Sequence, residues 1–352
     1  MKKTILILFG GKSSEYEVSL SSATGAWTNI DKEKYDVLLC GITREGRMYL
    51  YGDDPAKIAD DTWTAGVKWP LSVDFSDGTL AADRGRGTEH IRVDAVLPMI
   101  HGKFCEDGTM QGLFAVAGIP VVGCGCQASA LCMDKAAAKA VAACETSIRQ
   151  AKAVVVRADV AKTDGEIARI REAAEKAFGY PMFVKPSSAG SSVGVTKVKT
   201  PDAFADAVRT ALREDTKVLV EEYVRGREIE VAVLEEHGAC TVAHPAEIDV
   251  GSSEFYDYDT KYVTDESSFF IPARLSAEKQ DEVRRYAEEI FRSLDCRGFA
   301  RVDFFFTEDG EFVFNEINTL PGFTPISMYP KMMISDGISY AELLNRLIES
   351  AL

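Results

Sequence analysis

The sequence predicts an α/β chain in which a parallel α/β layer is followed by α+β modules. Short apolar strands alternate with helix-forming segments up to residue 124, as they do where helices cover a parallel sheet. Farther along, strands follow one another more closely, and aromatic residues flank the turn-forming segment Thr307–Gly310. These patterns indicate more than one module in the chain.

Length and charge narrow the classes of protein. The 352 residues allow two or three domains, and 46% hydrophobic with 27% charged residues is typical of a globular protein. Lys and Arg number 40 against 55 Asp and Glu, which gives a net charge of −15. This excess of acidic residues argues against nucleic acid or an anionic membrane surface as the main partner. An anionic substrate would need a local cluster of positive groups.

Cysteine usage and the N-terminus indicate a cytoplasmic protein. Eight cysteines and four histidines form no C-x-x-C pair, so we expect free thiols rather than a structural zinc site. The apolar run Ile5–Phe9 ends at Gly10-Gly11 and predicts a first strand rather than a signal peptide. No apolar run in the sequence is long enough to span a membrane.

The N-terminal elements alternate between strand and helix. Strands are predicted over Thr4–Phe9, Tyr35–Ile42, Ala95–Ile100 and Pro120–Gly123, and helices over Ser19–Ile30 and Thr109–Ala117. Ligands of such sheets gather at the carboxyl ends of the strands, where Gly10-Gly11 and His101-Gly102 lie. The segment 52–89 is rich in Asp, Gly and Thr, and we interpret it as a surface excursion of unassigned function.

The remaining elements predict a mixed module. Helices are predicted over Ser129–Gln150, Ile167–Phe178, Ala203–Leu212 and Tyr340–Leu352, and strands over Met182–Lys185, Val195–Val198, Val218–Val224 and Arg227–Glu235. The loop Ser187–Gly194 consists mainly of small residues whose N–H groups and hydroxyls can bind an anion, with Lys185 beside it. An ordinary hairpin loop fits the composition equally well. Two lysines, Lys135 and Lys185, together with this loop suggest a nucleotide lying between two sheets.

The segment from Gly298 to Gly322 predicts a β-hairpin. If Thr307–Gly310 is the loop and Phe306 pairs with Glu311, Arg301 lies opposite Glu316, Asp303 opposite Phe314 and Phe299 opposite Asn318. One face then carries Arg301, Asp303, Glu316 and Asn318, and the core face carries Val302, Phe304, Phe306, Val313 and Ile317. A slip of one residue would scatter the polar set.

Three oxygen-bearing side chains on one face suit a hard cation. Carboxylate and amide oxygens are the ligands that Mg²⁺ prefers, and Mg²⁺ often completes its shell with substrate phosphates. The alternative is a solvated face with an Arg301–Glu316 ion pair. The turn Thr319–Gly322 follows directly and can point N–H groups at a ligand, so we favour a metal-phosphate site.

Motifs along the whole chain resemble those of the D-alanine–D-alanine ligase family, which belongs to the ATP-grasp enzymes. The motifs are Glu15-Tyr-Glu-Val-Ser19, His101-Gly-x-x-x-Glu-Asp-Gly108, Met133-Asp-Lys135, Val184-Lys-Pro186, Gly190-Ser-Ser-Val-Gly194, Phe255-Tyr-Asp-Tyr-x-x-Lys-Tyr262, Arg301-Val-Asp303 and Asn315-Glu-Ile-Asn-Thr-Leu-Pro-Gly-Phe-Thr324. The resemblance implies an ATP-grasp fold with a pre-ATP-grasp domain at 1–124, a small ATP-grasp subdomain at 125–224 and a C-terminal subdomain at 225–352.

The resemblance also implies roles for residues of a nucleotide and metal site. ATP would be bound by Lys135, Lys185, Ser192, Glu221, Val224, Glu228 and Lys261. Two Mg²⁺ ions, with Mn²⁺ as a substitute, would be bound by Asp303, Glu316 and Asn318.

A second group of residues is implied for the amino acids. The first D-alanine would be held by Glu15, Val18 and His101, and the second by Ser327, with Met328 beside it. Glu15, Ser191 and Tyr262 would form a hydrogen-bonded set over the site. Arg301 and the Gly322 amide would form an oxyanion hole.

The implied reaction is the ligation of two D-alanines for peptidoglycan precursors, through a D-alanyl phosphate. Met328 stands where D-lactate and D-serine enzymes typically carry arginine, and Tyr256 also favours D-alanine, with D-serine as the alternative. Cys105 and Ser188-Ala189 depart from the family pattern. A homodimer is implied as well.

Two other interpretations of the protein's function are less favoured. A silent ATP-binding relative would have lost a metal ligand, the arginine or a lysine, and a different ATP-grasp ligase would lack Glu15, His101 and Tyr262. The sequence retains all of these residues.

Overall fold

The computed structural model describes residues 2–190, 193–249 and 268–352. Within these ranges the strands form three sheets. The strands are β1 Lys3–Gly10, β2 Tyr35–Ile42, β3 Met48–Tyr51, β4 Lys68–Asp74, β5 Thr79–Asp83, β6 Thr88–Ile91, β7 Ala95–Pro98, β8 Ala153–Arg157, β9 Met182–Pro186, β10 Thr196–Val198, β11 Lys217–Glu222, β12 Gly226–Glu236, β13 Ala239–Val242, β14 Ala246–Asp249, β15 Ser268–Phe270, β16 Phe299–Thr307 and β17 Phe312–Asn318.

Helices pack around these sheets. They are α1 Tyr16–Asn29, α2 Ala56–Ala59, α3 Thr109–Val116, α4 Cys126–Met133, α5 Lys135–Glu145, α6 Asp164–Ala177, α7 Phe204–Glu214, α8 Ala277–Ser293, α9 Met328–Ser335 and α10 Tyr340–Ala351, with short 3₁₀ turns at Trp63–Ala65, Ala158–Val160 and Pro201–Ala203. Along the described ranges, no helix combines the length and apolar composition needed to cross a membrane.

The N-terminal sheet has the order β6-β5-β4-β3-β2-β1-β7. The strands β1, β2 and β7 are parallel, as predicted, and Ile5–Phe9 is fully buried because both faces of this strand are covered. The other four strands are antiparallel, so the sheet is mixed. The predicted strand at Pro120–Gly123 is reduced to a bridge between Val121 and Val96.

The segment 52–89 is not a surface excursion, and that interpretation was wrong. It supplies β4, β5 and the start of β6, which extend the sheet. Trp63 within it is fully buried, and its ring lies 5.0 Å from that of Phe9 and 6.0 Å from that of Tyr51. The polar composition of the segment concealed this contribution to the core.

The central sheet, β10-β9-β11-β8, is antiparallel and packs against α6 and α7. A single helix was predicted over Ser129–Gln150, but the chain forms α4 and α5 instead. Asp134 separates them with extended backbone, and its side chain accepts the Ala137 N–H at the start of α5. This break places Lys135 at the first turn of α5.

The hairpin β16–β17 lies in the third sheet, whose order is β15-β14-β12-β16-β17 with β13 beside β12. Its outer register differs from the prediction: Phe306 pairs with Phe312, not with Glu311. Val313 therefore leaves the predicted core face, and Phe314 takes its place there. The prediction failed because Thr307 pairs with Glu311, whose carbonyl accepts the Thr307 N–H at 2.9 Å, so the loop is one residue shorter than assumed.

A β-bulge after Asp303 then restores the polar face. The bulge shifts the register by a further residue, so Asp303 pairs with Glu316 and Arg301, rather than Phe299, pairs with Asn318. Because side chains alternate with a period of two, two shifts of one residue return them to the original face. The four polar residues therefore share a face as predicted, although their cross-strand partners differ from the prediction.

Candidate active site

Two cavities adjoin at this polar face. The larger, about 430 Å³, lies between β9 and β11 of the central sheet and β12, β14, β16 and β17 of the third sheet. The smaller, about 100 Å³, lies among the N-terminal layer, α4 and the loop after β17. Lys135, Glu230 and Glu316 line both cavities. The larger volume is typical of a site for an organic ligand.

The structure brings most of the predicted site residues to these cavities. The larger is lined by Lys135, Lys185, Glu221, Val224, Glu228, Asp303 and Glu316. The smaller is lined by Glu15, His101, Arg301, Glu316, Asn318, Gly322, Ser327 and Met328. Val18 is buried on α1 and is not among the residues that line either cavity. Ser191, Ser192, Lys261 and Tyr262, like Tyr256, lie outside the described residues.

A buried ion triad lies at the larger cavity. The Lys139 and Lys185 ammonium groups each lie 2.6 Å from a different oxygen of the Glu221 carboxylate. Burial would raise the pKa of Glu221, but the two lysines outweigh it and lower the pKa to about 2. The triad therefore carries one net positive charge, which suits an anionic ligand.

Burial acts differently on the two lysines. It dominates at Lys139 and lowers the pKa of that ammonium group despite the Glu221 carboxylate. At Lys185 burial is outweighed by the charges of Glu221 and Glu316, which raise the pKa. Lys185 also donates to the Asn315 amide oxygen at 3.4 Å, and Asn315 is the extra residue of the bulge.

Lys135 connects the glycine-rich loop with the polar face. Its ammonium group donates to the Ala189 carbonyl at 2.8 Å and lies 3.2 Å from the Glu316 carboxylate. The start of this loop is fixed by Asp134, which accepts the Ser187 hydroxyl at 2.6 Å and pairs with Lys217. The start of the loop is therefore anchored to the first turn of α5.

Arg301 is buried against two carboxylates. Its guanidinium donates to both oxygens of Asp303, at 2.8 and 2.7 Å, and lies 3.3 Å from Glu230. Burial opposes its charge, but these carboxylates outweigh burial and raise the pKa further. Arg301 thus stays cationic, which suits stabilisation of a developing negative charge.

The donor set of the polar face fits a hard divalent cation. Two carboxylates, Asp303 and Glu316, face each other across the strands, and the Asn318 amide oxygen lies on the same face. Arg301 and Lys135 neutralise part of the carboxylate charge. Oxygen ligands in this number, completed by phosphate oxygens, are what Mg²⁺ uses in nucleotide sites.

The backbone approaches Glu15 closely from two sides. A Cβ on Gly102 would lie 2.6 Å from a Glu15 carboxylate oxygen, and a Cβ on Gly190 would lie 2.9 Å from it. The Glu15 carboxylate therefore lies against the backbone at both positions and links the N-terminal layer to the glycine-rich loop. Beside it, burial and the Glu15 charge raise the pKa of Glu106 to about 8.

Four site residues were missed by sequence reasoning: Lys139, Glu230, Glu106 and Ser22. Lys139 lies four residues after Lys135 on α5, which places both on one helix face. Glu230 lies two residues after Glu228 on β12, which places both on one strand face. These spacings were signals that could have been used. Glu106 stands within a quoted motif, and Ser22, whose hydroxyl lies 2.9 Å from Nε2 of His101, offered no signal of its own.

The three sheets, with a nucleotide-sized cavity between the second and third, define an ATP-grasp enzyme. Two family models match the chain, D-ala D-ala ligase N-terminus over residues 4–124 and D-ala D-ala ligase C-terminus over residues 145–349. The chain therefore belongs to the D-alanine–D-alanine ligase family, which consists of ATP-dependent ligases.

Full-length relatives agree with this assignment. The D-alanine–D-alanine ligase of Caldicellulosiruptor bescii is 44% identical over 100% of this chain and 95% of its own length. That of Streptomyces avermitilis is 42% identical over 100% and 94%. Among solved structures, the VanG D-Ala:D-Ser ligase from Enterococcus faecalis has a TM-score of 0.90 at 40% identity over the full length of both chains. The Coxiella burnetii D-alanine-D-alanine ligase has a TM-score of 0.84 at 34% identity over 99% and 94%.

Proposed function

We propose that this protein ligates two D-alanine molecules to D-alanyl-D-alanine at the expense of ATP, for peptidoglycan precursor synthesis. The observation that carries the proposal is the junction of the two cavities. A nucleotide in the larger cavity and an amino acid in the smaller one would meet at Lys135 and Glu316, which line both. Such a junction favours direct transfer of a phosphoryl group to a carboxylate.

The residues divide the reaction between them. Lys135 and Lys185 bind the ATP phosphates, while Glu15 binds the ammonium group of the first D-alanine. The carboxylate of this D-alanine attacks the γ-phosphorus of ATP, ADP leaves, and an acyl phosphate forms. The amine of the second D-alanine then attacks the acyl carbon and releases phosphate. Arg301 and the Gly322 N–H stabilise the tetrahedral oxyanion, each donor contributing about 3 kcal/mol.

Two Mg²⁺ ions would be bound by Asp303, Glu316 and Asn318, and Mn²⁺ could substitute for them. Bound there, the metal would offset negative charge on the transferred phosphoryl group. Glu228 would accept hydrogen bonds from ribose, Glu221 and Val224 would contact adenine, and Ser327 the second carboxylate. The roles implied for Ser191, Ser192, Lys261 and Tyr262 remain predictions from the resemblance.

D-Serine as the second substrate is the other candidate. The likeness to the VanG D-Ala:D-Ser ligase, with a TM-score of 0.90, favours it. Met328, which follows Ser327 at the smaller cavity, favours D-alanine. The curated relatives named above are D-alanine ligases, and we place D-alanine first.

The organisation of the protein is also part of the proposal. We assign a pre-ATP-grasp domain to 1–124, the small ATP-grasp subdomain to 125–224 and the C-terminal subdomain to 225–352. A cytoplasmic homodimer formed through the N-terminal domain is proposed from the resemblance. With a net charge of −15, nucleic acid is not expected to be a partner.

The deciding experiment measures phosphate release from Mg-ATP with D-alanine, with and without D-serine, and identifies the product by mass. D-alanyl-D-alanine as the main product supports the proposal. A preference for the mixed D-Ala-D-Ser dipeptide would favour the second candidate. Release that does not depend on any amino acid would refute both.

A further inference from the structure

His101 uses both ring nitrogens inside the protein. Nδ1 lies 3.1 Å from the Leu320 carbonyl oxygen, and Nε2 lies 2.9 Å from the Ser22 hydroxyl. Because a carbonyl oxygen only accepts, Nδ1 carries the proton, and Nε2 of the neutral ring accepts the Ser22 O–H. Burial lowers the pKa of His101 against the opposing charge of Glu15, which favours this neutral form.

Ser22 has a second partner in the same loop. Its oxygen accepts the Phe323 N–H at 3.2 Å. The carbonyl of Leu320 and the N–H of Phe323 belong to the peptide groups on either side of the one that carries the Gly322 N–H. Both flanking peptide groups are therefore held by a single His101–Ser22 pair, and the Gly322 amide cannot rotate freely without breaking one of these bonds.

The surroundings reinforce the restraint. Ser22 is fully buried and His101 is 3% exposed, so water does not compete for these bonds. The Tyr340 hydroxyl donates to the Phe323 carbonyl at 2.5 Å. The Gly25 backbone on α1 also approaches that carbonyl closely, since a Cβ there would lie 3.1 Å from it. The N-terminal layer thus packs tightly against the loop that follows β17 and restrains it.

We infer that Ser22 and His101 are positioning residues that hold the Gly322 amide in a fixed orientation for the oxyanion. This inference rests on the proposed function, in which that amide is an oxyanion donor. It also changes the predicted role of His101: the ring lines the amino-acid cavity, but both nitrogens serve the loop. Fixed donors stabilise a developing charge without reorganisation during the reaction, which is why such a restraint matters.

The test compares Ser22→Ala with Ser19→Ala. Ser19 is a matched control because it is also fully buried on α1 and also makes two hydrogen bonds to polar partners. It accepts the Gly10 N–H at 2.8 Å and donates to the Met99 carbonyl at 2.5 Å, away from the loop 319–324. Each variant is assayed for turnover with D-alanine, for ATP binding, and for amide hydrogen exchange of the peptide covering 319–325.

For Ser22→Ala we expect turnover to fall about 10- to 100-fold with ATP affinity unchanged, because a small displacement of a catalytic group is costly. Exchange of the Gly322 and Phe323 amides should accelerate in this variant and stay at the wild-type rate in Ser19→Ala. Wild-type exchange in Ser22→Ala, or an equal loss of turnover in both variants, overturns the inference. A wild-type protein without D-alanine-dependent phosphate release would refute the proposed function, while the exchange comparison would still decide the restraint.

Discussion

Replacing Lys139 with methionine tests how the larger cavity distributes charge around Glu221. Methionine approximates the length of the lysine stem but carries no charge. In the wild type, Lys139 and Lys185 share one buried carboxylate, each at 2.6 Å, and the triad has one net positive charge. In the variant a neutral Lys185–Glu221 pair remains. The Lys185 ammonium group is then fully paired with the Glu221 carboxylate, and the net positive charge that attracts phosphate is lost.

The expected effect falls on ATP. A hydrogen bond to a charged group contributes about 1.5–3 kcal/mol. Weakening the hydrogen bond from the Lys185 ammonium group to an ATP phosphate should therefore weaken ATP binding about 10- to 150-fold. The KM for D-alanine should change by less than about 2-fold, because Glu221 and Lys185, through which Lys139 acts, line the larger cavity and not the smaller one. The loss in unfolding free energy should stay below the ~3–5 kcal/mol of a broken buried pair, because the two remaining groups neutralise each other.

Calorimetric titration with a non-hydrolysable ATP analogue measures the effect directly. Lys139→Arg keeps the charge and should recover most of the affinity. Lys57→Met is the control for charge alone, because it removes a lysine from an exposed pair with Asp53. If Lys139→Met binds the analogue as tightly as wild type, or if Lys57→Met weakens binding equally, the charge-sharing argument is wrong.

Two further predictions concern Glu106 and Asp303. The pKa of Glu106 is raised from 4.5 to about 8, so the folded state binds the proton more tightly, and this stability is present below pH 4.5 and is lost as pH rises through 8. Relative to Glu106→Gln, wild type should lose up to about 1.4 kcal/mol per pH unit across that window in urea unfolding, and parallel pH profiles would contradict the burial argument. Asp303→Asn removes a carboxylate from the donor set and should lower turnover by roughly 10²-fold and raise the Mg²⁺ requirement. Chelator and Mg²⁺ titrations check this, and an unchanged Mg²⁺ dependence would remove Asp303 from the metal site.

Local pattern was enough to predict much of the fold. The apolar run of β1 and the strand Tyr35–Ile42 are encoded by their own residues, because a strand buried on both faces needs a continuous apolar stretch. The family motifs also selected residues that meet at the two cavities. Lys135 and Lys185 are 50 positions apart in the chain, and the small-residue loop beside Lys185 together with the order of motifs indicated that they share a site.

The sequence by itself determined which residue types supply the site, and the tertiary structure decided how they pair. The face shared by Asp303 and Glu316 is kept because a bulge compensates for a shorter hairpin loop, and both features depend on pairing between strands. Lys139 and Ser22 gain their partners from distant segments, and Trp63 becomes buried only because its segment extends the sheet. Periodicity reports which face of an element a residue occupies, whereas register and long-range contacts depend on what packs against that face.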